Sequence, residues 1–117
     1  MPYVDGFVLP VPKKNVQAYR RMAQKAGKIW KEHGALEFRE CLGDDLKVKM
    51  GVAFPRGAKA RPEETVFFSY IVYRSKAHRD RVNKKVMKDP RLKMDMKAMP
   101  FDFRRMMYGG FKVLVDL

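Results

Sequence analysis

Five side chains in this chain of 117 residues have the types that line small-molecule sites: Tyr3, Asp5, Ser69, Tyr70 and Tyr108. Ligand pockets are concave and mostly apolar, with a few polar groups that fix orientation, and these five punctuate otherwise apolar runs. Asp5 and Tyr108 form the preferred catalytic pair, and Tyr3, Ser69 and Tyr70 are the ligand-binding candidates. The competing reading is structural. Tyrosines are amphipathic core residues, and an aspartate two positions into a strand can sit at a rim. His33 is the third catalytic candidate, as a general base or a haem ligand. Against that role, a protonated imidazole at the end of a helix suits the negative end of the helix dipole, and no second histidine accompanies it. His78, among Lys76, Arg79 and Arg81, reads as solvated.

Metal chemistry has little support in the spacing. No cluster of His and Cys exists, which argues against zinc. Met94, Met96 and Met99 could offer soft thioethers to cuprous ion, but flexible methionines more often fill gaps or cover a binding surface. Cys41 has no resolving partner or adjacent histidine, so it reads as a small buried hydrophobe. No phosphate loop, nucleophile elbow or dinucleotide fingerprint is present, Gly109-Gly110 alone being too weak a signal, and no motif calls for a cofactor.

A second class of chemistry comes from charge. There are 26 Lys and Arg against 13 Asp and Glu, a net charge of +13. Lys13 to His33 carries +6 of that excess and Arg74 to Lys97 carries +7, while the rest of the chain is balanced. Lys25, Lys28, Arg79, Lys84 and Lys88 could neutralise phosphates of a nucleic acid or another polyanion and release counterions. RNA readers usually interleave aromatics for stacking, and neither segment offers that pattern, so a solvated charged face is the competing explanation.

These residues must be positioned by one domain. A chain of this length buries roughly two-thirds of the surface its unfolded form exposes. A solitary cysteine fits a reducing cytoplasm, and no apolar run approaches the ~18 residues that span a bilayer, so a cytoplasmic protein with no membrane partner is expected. Tyr3 to Leu9 predicts a strand ended by Pro10 and Pro12. Val16, Tyr19, Met22, Ala23, Ala26, Ile29 and Trp30 recur at steps of three and four, predicting a helix that starts at Asn15 or within residues 12–14 and is capped at Gly34. Leu36 to Leu42 alternates as a strand does, and residues 44–64 form a long connection with a strand extension over Val48 to Phe54. Val66 to Tyr73 is apolar on both faces, Ser75 caps a helix to about Met87, and residues 94–100 read as irregular. Arg105 to Val115 predicts a last strand, with a bulge or close backbone approach at Gly109-Gly110.

The order strand, helix, strand, strand, helix, strand is that of an α+β ferredoxin-like βαββαβ domain, with an antiparallel sheet and both helices on one face. The other, apolar face needs cover, and a second copy is the natural remedy, giving a homodimeric barrel.

Several segments resemble one family: Tyr3-Val4-Asp5-Gly6-Phe7, Lys31-Glu32-His33-Gly34-Ala35-Leu36, Phe54-Pro55-Arg56, Pro62-Glu63-Glu64-Thr65-Val66, Lys85-Val86-Met87-Lys88-Asp89-Pro90-Arg91 and Arg105-Met106-Met107-Tyr108-Gly109-Gly110-Phe111. The family is the uncharacterised bacterial YbaA-like one, domain of unknown function 1428. The resemblance implies the dimeric α/β-barrel superfamily, whose branches include cofactor-independent quinone-type monooxygenases and haem-degrading enzymes. The expected function is a homodimer that binds a small organic molecule in the barrel interior, with cofactor-free monooxygenase-like chemistry as its candidate activity. The alternative is polyanion binding through the basic helices.

Overall fold

The computed structural model describes residues 1–92 and 99–117. Its strands are β1 (Tyr3–Pro12), β2 (Glu37–Leu42), β3 (Glu64–Tyr73) and β4 (Met107–Lys112), and its helices are α1 (Val16–Glu32), α2 (Phe54–Gly57) and α3 (Lys76–Met87). One sheet orders them β2-β3-β1-β4, every neighbouring pair antiparallel, which is the expected split βαβ topology. No described helix is long and apolar enough to cross a membrane.

Alternation along β1 and β3 divides the side chains between two faces. Tyr3, Leu9 and Val11 of β1 and Phe67, Ile71 and Tyr73 of β3 are buried against the helices. They form two adjoining core clusters, one with Ile29, Val82 and Val86 from the helices, the other with Tyr19 and Ala23 of α1. Burying a side chain of that size contributes about 1.5–3 kcal/mol, so the helix-facing layer is the main source of stability.

The helix ends follow local chemistry. Ser75 caps α3 by accepting a hydrogen bond from the His78 amide at 3.1 Å, and Gly34 takes φ +117° just beyond α1. Asn15 occupies the cap position of α1 without capping it, because its amide instead donates to the Pro100 carbonyl at 2.9 Å.

Four expectations are corrected. β1 continues through Pro10 and Pro12, because β4 pairs with β1 only from Tyr3 to Val8, so beyond that point the missing prolyl N–H groups face no partner. Val48 to Phe54 holds no strand: no neighbour pairs with it, and a short helix begins at Phe54 instead. β4 starts at Met107, after a 3-10 turn over Phe103–Arg105, and its register passes through Gly109 and Gly110 without a bulge. The close approach is real, since a Cβ on Gly110 would stand 2.8 Å from Cε2 of Tyr3. Cys41 is exposed, on the face of the sheet away from the helices.

Candidate functional site

The sheet carries two polar clusters on its helix-covered face. The first surrounds Asp5, which is 1 % exposed on the central strand β1. Nη1 of Arg79 from α3 donates to its Oδ1 at 2.7 Å, and Asn83 and Tyr73 lie beside it and favour its charged form. Asn83 Oδ1 in turn accepts from Trp30 Nε1 at 3.1 Å and from the Tyr73 hydroxyl at 3.2 Å. The guanidinium lies 4.9 Å from the centre of the Tyr3 ring. Burial lifts the Asp5 carboxyl above its ordinary range, and Arg79 works against that lift.

The sequence candidates divide around this cluster. Tyr3, Asp5, Ser69 and Tyr108 share the helix-covered face, whereas Tyr70 lies on the opposite one, in register with Gly6 and Arg39. Tyr108 is exposed, stacks on Phe7 at 4.9 Å, and is held protonated by burial of its hydroxyl end and by Asp5. Arg79 turns inward to Asp5 and leaves the basic surface, while Lys25, Lys28, Lys84 and Lys88 remain exposed. His33 ends α1 and bonds Asp89 across 2.9 Å, and Arg91 joins Asp89 to Glu32, a tie between the two helix ends. His78 is not solvated, as the sequence suggested. It is buried, its Nδ1 accepts from the Arg74 amide at 3.0 Å, and burial followed by neighbouring cations keeps it neutral. Met94 and Met96 lie outside the described residues. Among the described residues no three His, Cys, Asp or Glu side chains converge as a metal site would require.

The second cluster was missed as a site. Glu40 of edge strand β2 points to the helices between Phe38 and Leu42, and its Oε1 accepts hydrogen bonds from the Tyr19 hydroxyl of α1 at 2.7 Å and from Ser69 of β3. Burial raises the Glu40 carboxyl above its usual value; burial and the Glu40 charge together raise the Tyr19 hydroxyl. Its Oε2 receives no hydrogen bond from the described residues and is not sealed within protein, so it opens on the space beside it. That space is a groove of about 680 Å³ between α1 and β2, floored by Tyr19, Ala23, Phe38 and Phe67, with Arg20 and Lys28 on its rim. Gly27 lets the helix and strand approach so closely there that a Cβ would stand 2.7 Å from the Phe38 ring. The sequence signal was a lone acid in the buried phase of an alternating strand. It gained meaning only from the register that sets Glu40 opposite Ser69.

The face of the sheet turned away from α1 and α3 is apolar and largely open, with Phe54 of α2 edge-on to Phe68, their ring centres 6.2 Å apart. Val4, Val8, Phe68, Met107 and Phe111 share it with Tyr70, and Phe68 and Phe111 are 46 % and 62 % exposed.

Comparison with known proteins agrees with this architecture. Residues 2–103 match the model of a family described as protein of unknown function (DUF1428). The chain is 47 % identical over 116 residues to uncharacterized protein YbaA of Escherichia coli (strain K12), covering 99 % of each. Among solved structures it resembles a dimeric ferredoxin-like protein from an uncultured marine organism, with TM-score 0.55, 12 % identity and full coverage of both chains. It also resembles an uncharacterized NIPSNAP domain protein from Burkholderia xenovorans, with TM-score 0.54, 15 % identity, and 95 % and 93 % of the two chains covered. Those two likenesses are of fold.

Proposed function

The chain belongs to the DUF1428 family, and from its open sheet face and its α1–β2 groove we propose that it is a homodimer whose subunits each bind a small organic molecule in that groove. The observation that carries the reading is Glu40: a half-buried carboxyl with one oxygen held by Tyr19 and Ser69 and the other facing a groove of ligand size. Asp5 is also a buried carboxyl on the helix-covered face, but it does not line that groove, and Arg79 already occupies its place for a partner. The sequence reading put the ligand in the barrel interior around Asp5 and Tyr108; the groove is preferred because it combines space, apolar walls and a polar group with spare hydrogen-bonding capacity.

The dimer is supported by the sheet face turned away from α1 and α3, where apolar side chains of β3 and β4 lie exposed beside half-buried Val4 and Val8 of β1, and by the dimeric description of one structural neighbour. Native mass spectrometry of untagged protein at low salt tests both parts. A dimer retaining a small-mass adduct, lost in Glu40→Gln, is the expected result, and Phe111→Asp should yield monomer. A monomeric native chain sinks the face-to-face dimer. Nucleic acid retained in place of a small adduct overturns the groove reading in favour of Lys25, Lys28, Lys84 and Lys88.

A further inference from the structure

The arrangement around Glu40 narrows what the groove would hold, and this step rests on the groove being the binding site. Two hydroxyls reach the carboxyl, that of Tyr19 at 2.7 Å and that of Ser69, and both donate to Oε1. Among the described residues no group accepts from Glu40, so its surroundings are those of a hydrogen-bond acceptor. The capacity left over is an acceptor too: Oε2, open on the groove floor. Burial works against the charged form of this carboxyl, and the two hydroxyls work for it.

A ligand group seated on Oε2 must therefore donate. The common donors of small organic molecules are ammonium groups and neutral hydroxyls, and the rim decides between them. Arg20, Lys28 and Lys31 line the groove from α1, and Glu32, the acid beside them, is engaged by Arg91 at 2.6 Å. Arg20 and Lys28 make no ion pair among the described residues. An ammonium would enter past an excess of like charge, whereas a neutral hydroxyl meets no such opposition. Between rim and floor lie the apolar surfaces of Ala23, Phe38 and Phe67, two of them aromatic rings against which another ring can pack.

We propose that the groove takes a neutral alcohol on an aromatic body, its hydroxyl donating to Oε2 of Glu40 and its ring lying between Ala23 and Phe38. The ligand then supplies the third hydroxyl around one carboxyl, beside those of Tyr19 and Ser69.

Three ligands that share one body separate the claims: benzyl alcohol, which donates; benzyl methyl ether, which can only accept; and benzylamine, which is a cation. Each is titrated into the whole chain at about pH 8, above the ordinary carboxylate range, and followed by amide NMR. Benzyl alcohol should shift residues of α1 and β2 around Glu40. It should bind about tenfold more tightly than the ether, the worth of one hydrogen bond to a charged acceptor, and benzylamine should bind more weakly than the alcohol. Glu40→Gln keeps the size of the side chain. With its carbonyl still taking Tyr19 and Ser69, it sets an amide NH2 group where Oε2 stood, so the acceptor becomes a donor and the preference for alcohol over ether should vanish. Equal affinities of alcohol and ether for the native protein would leave the groove as a binding site and sink the alcohol inference, as would tighter binding of benzylamine. A preference that persists in Glu40→Gln would overturn it as well, by removing Glu40 from recognition. If none of the three shifts groove residues, the groove reading itself falls and the alcohol with it.

Discussion

Asp5 and Glu40 are two carboxyls on one sheet, both turned toward the helices and both lifted by burial, yet they end in opposite circumstances. Asp5 sits on a central strand beneath α3, where Arg79 pairs with it at 2.7 Å and Asn83 and Tyr73 stand beside it. Glu40 sits on an edge strand, where the sheet runs out beneath α1 and only one of its oxygens finds hydroxyl partners. A buried acid enclosed by its own partners holds the fold together, whereas one left with an open oxygen has capacity for something outside the chain.

The largest test of that contrast is Asp5→Ala. Removing one member of a buried ion pair leaves Arg79, whose side chain is only 14 % exposed, without compensation, and should cost about 3 kcal/mol in chemical denaturation. Glu40→Ala should cost clearly less. Equal losses would erase the distinction between the two clusters. Gly110→Ala is next: a methyl group driven against the Tyr3 ring disturbs the roof over Arg79, and about 2 kcal/mol of destabilisation is expected, measured the same way. It should leave the groove's ligand response intact.

The smallest effect has a distinctive sign. Because the folded-state value of Glu40 lies above its unfolded one, the stability linked to it is fully present below the ordinary glutamate range and drains away as pH rises through the raised value. Glu40→Gln has no such proton to lose, so the variant should gain on the native protein as pH climbs from acid to neutral, with the gap closing again in acid. A constant offset across thermal melts at both pH values would show that the fold does not raise the Glu40 carboxyl.

Much of the scaffold around these clusters was legible because its signals are local. The three-four periodicity of Val16 to Trp30, the turn at Gly34 and the cap at Ser75 each specify a helix boundary from adjacent residues. Tertiary pairing was not legible in the same way. Pro10 and Pro12 looked like terminators until the short reach of β4 placed their missing N–H groups at an unpaired edge, and Val48 to Phe54 looked like a strand with nothing to pair with. The site followed the same rule. Asp5 stood out as an acid in an apolar run, but whether it or Glu40 is left with an open oxygen depends on Arg79, 74 residues away, and on Ser69, 29 residues away. Such distant choices are made by topology, so charge patterning alone put Arg79 on the surface and His78 in water.

The prolines of β1 have one more effect. Where β4 falls short, the flank of β1 from Leu9 onward has no neighbouring strand, yet Leu9, Pro10 and Val11 are buried, with Phe101 and Met106 packed against the cluster that holds Leu9 and Val11. Pro10 and Pro12 remove two amide donors that would otherwise face that flank with no strand to receive them. The same pair of residues that once read as the end of a strand thus lets β1 run on beneath that cover without leaving amide donors there in want of a partner strand.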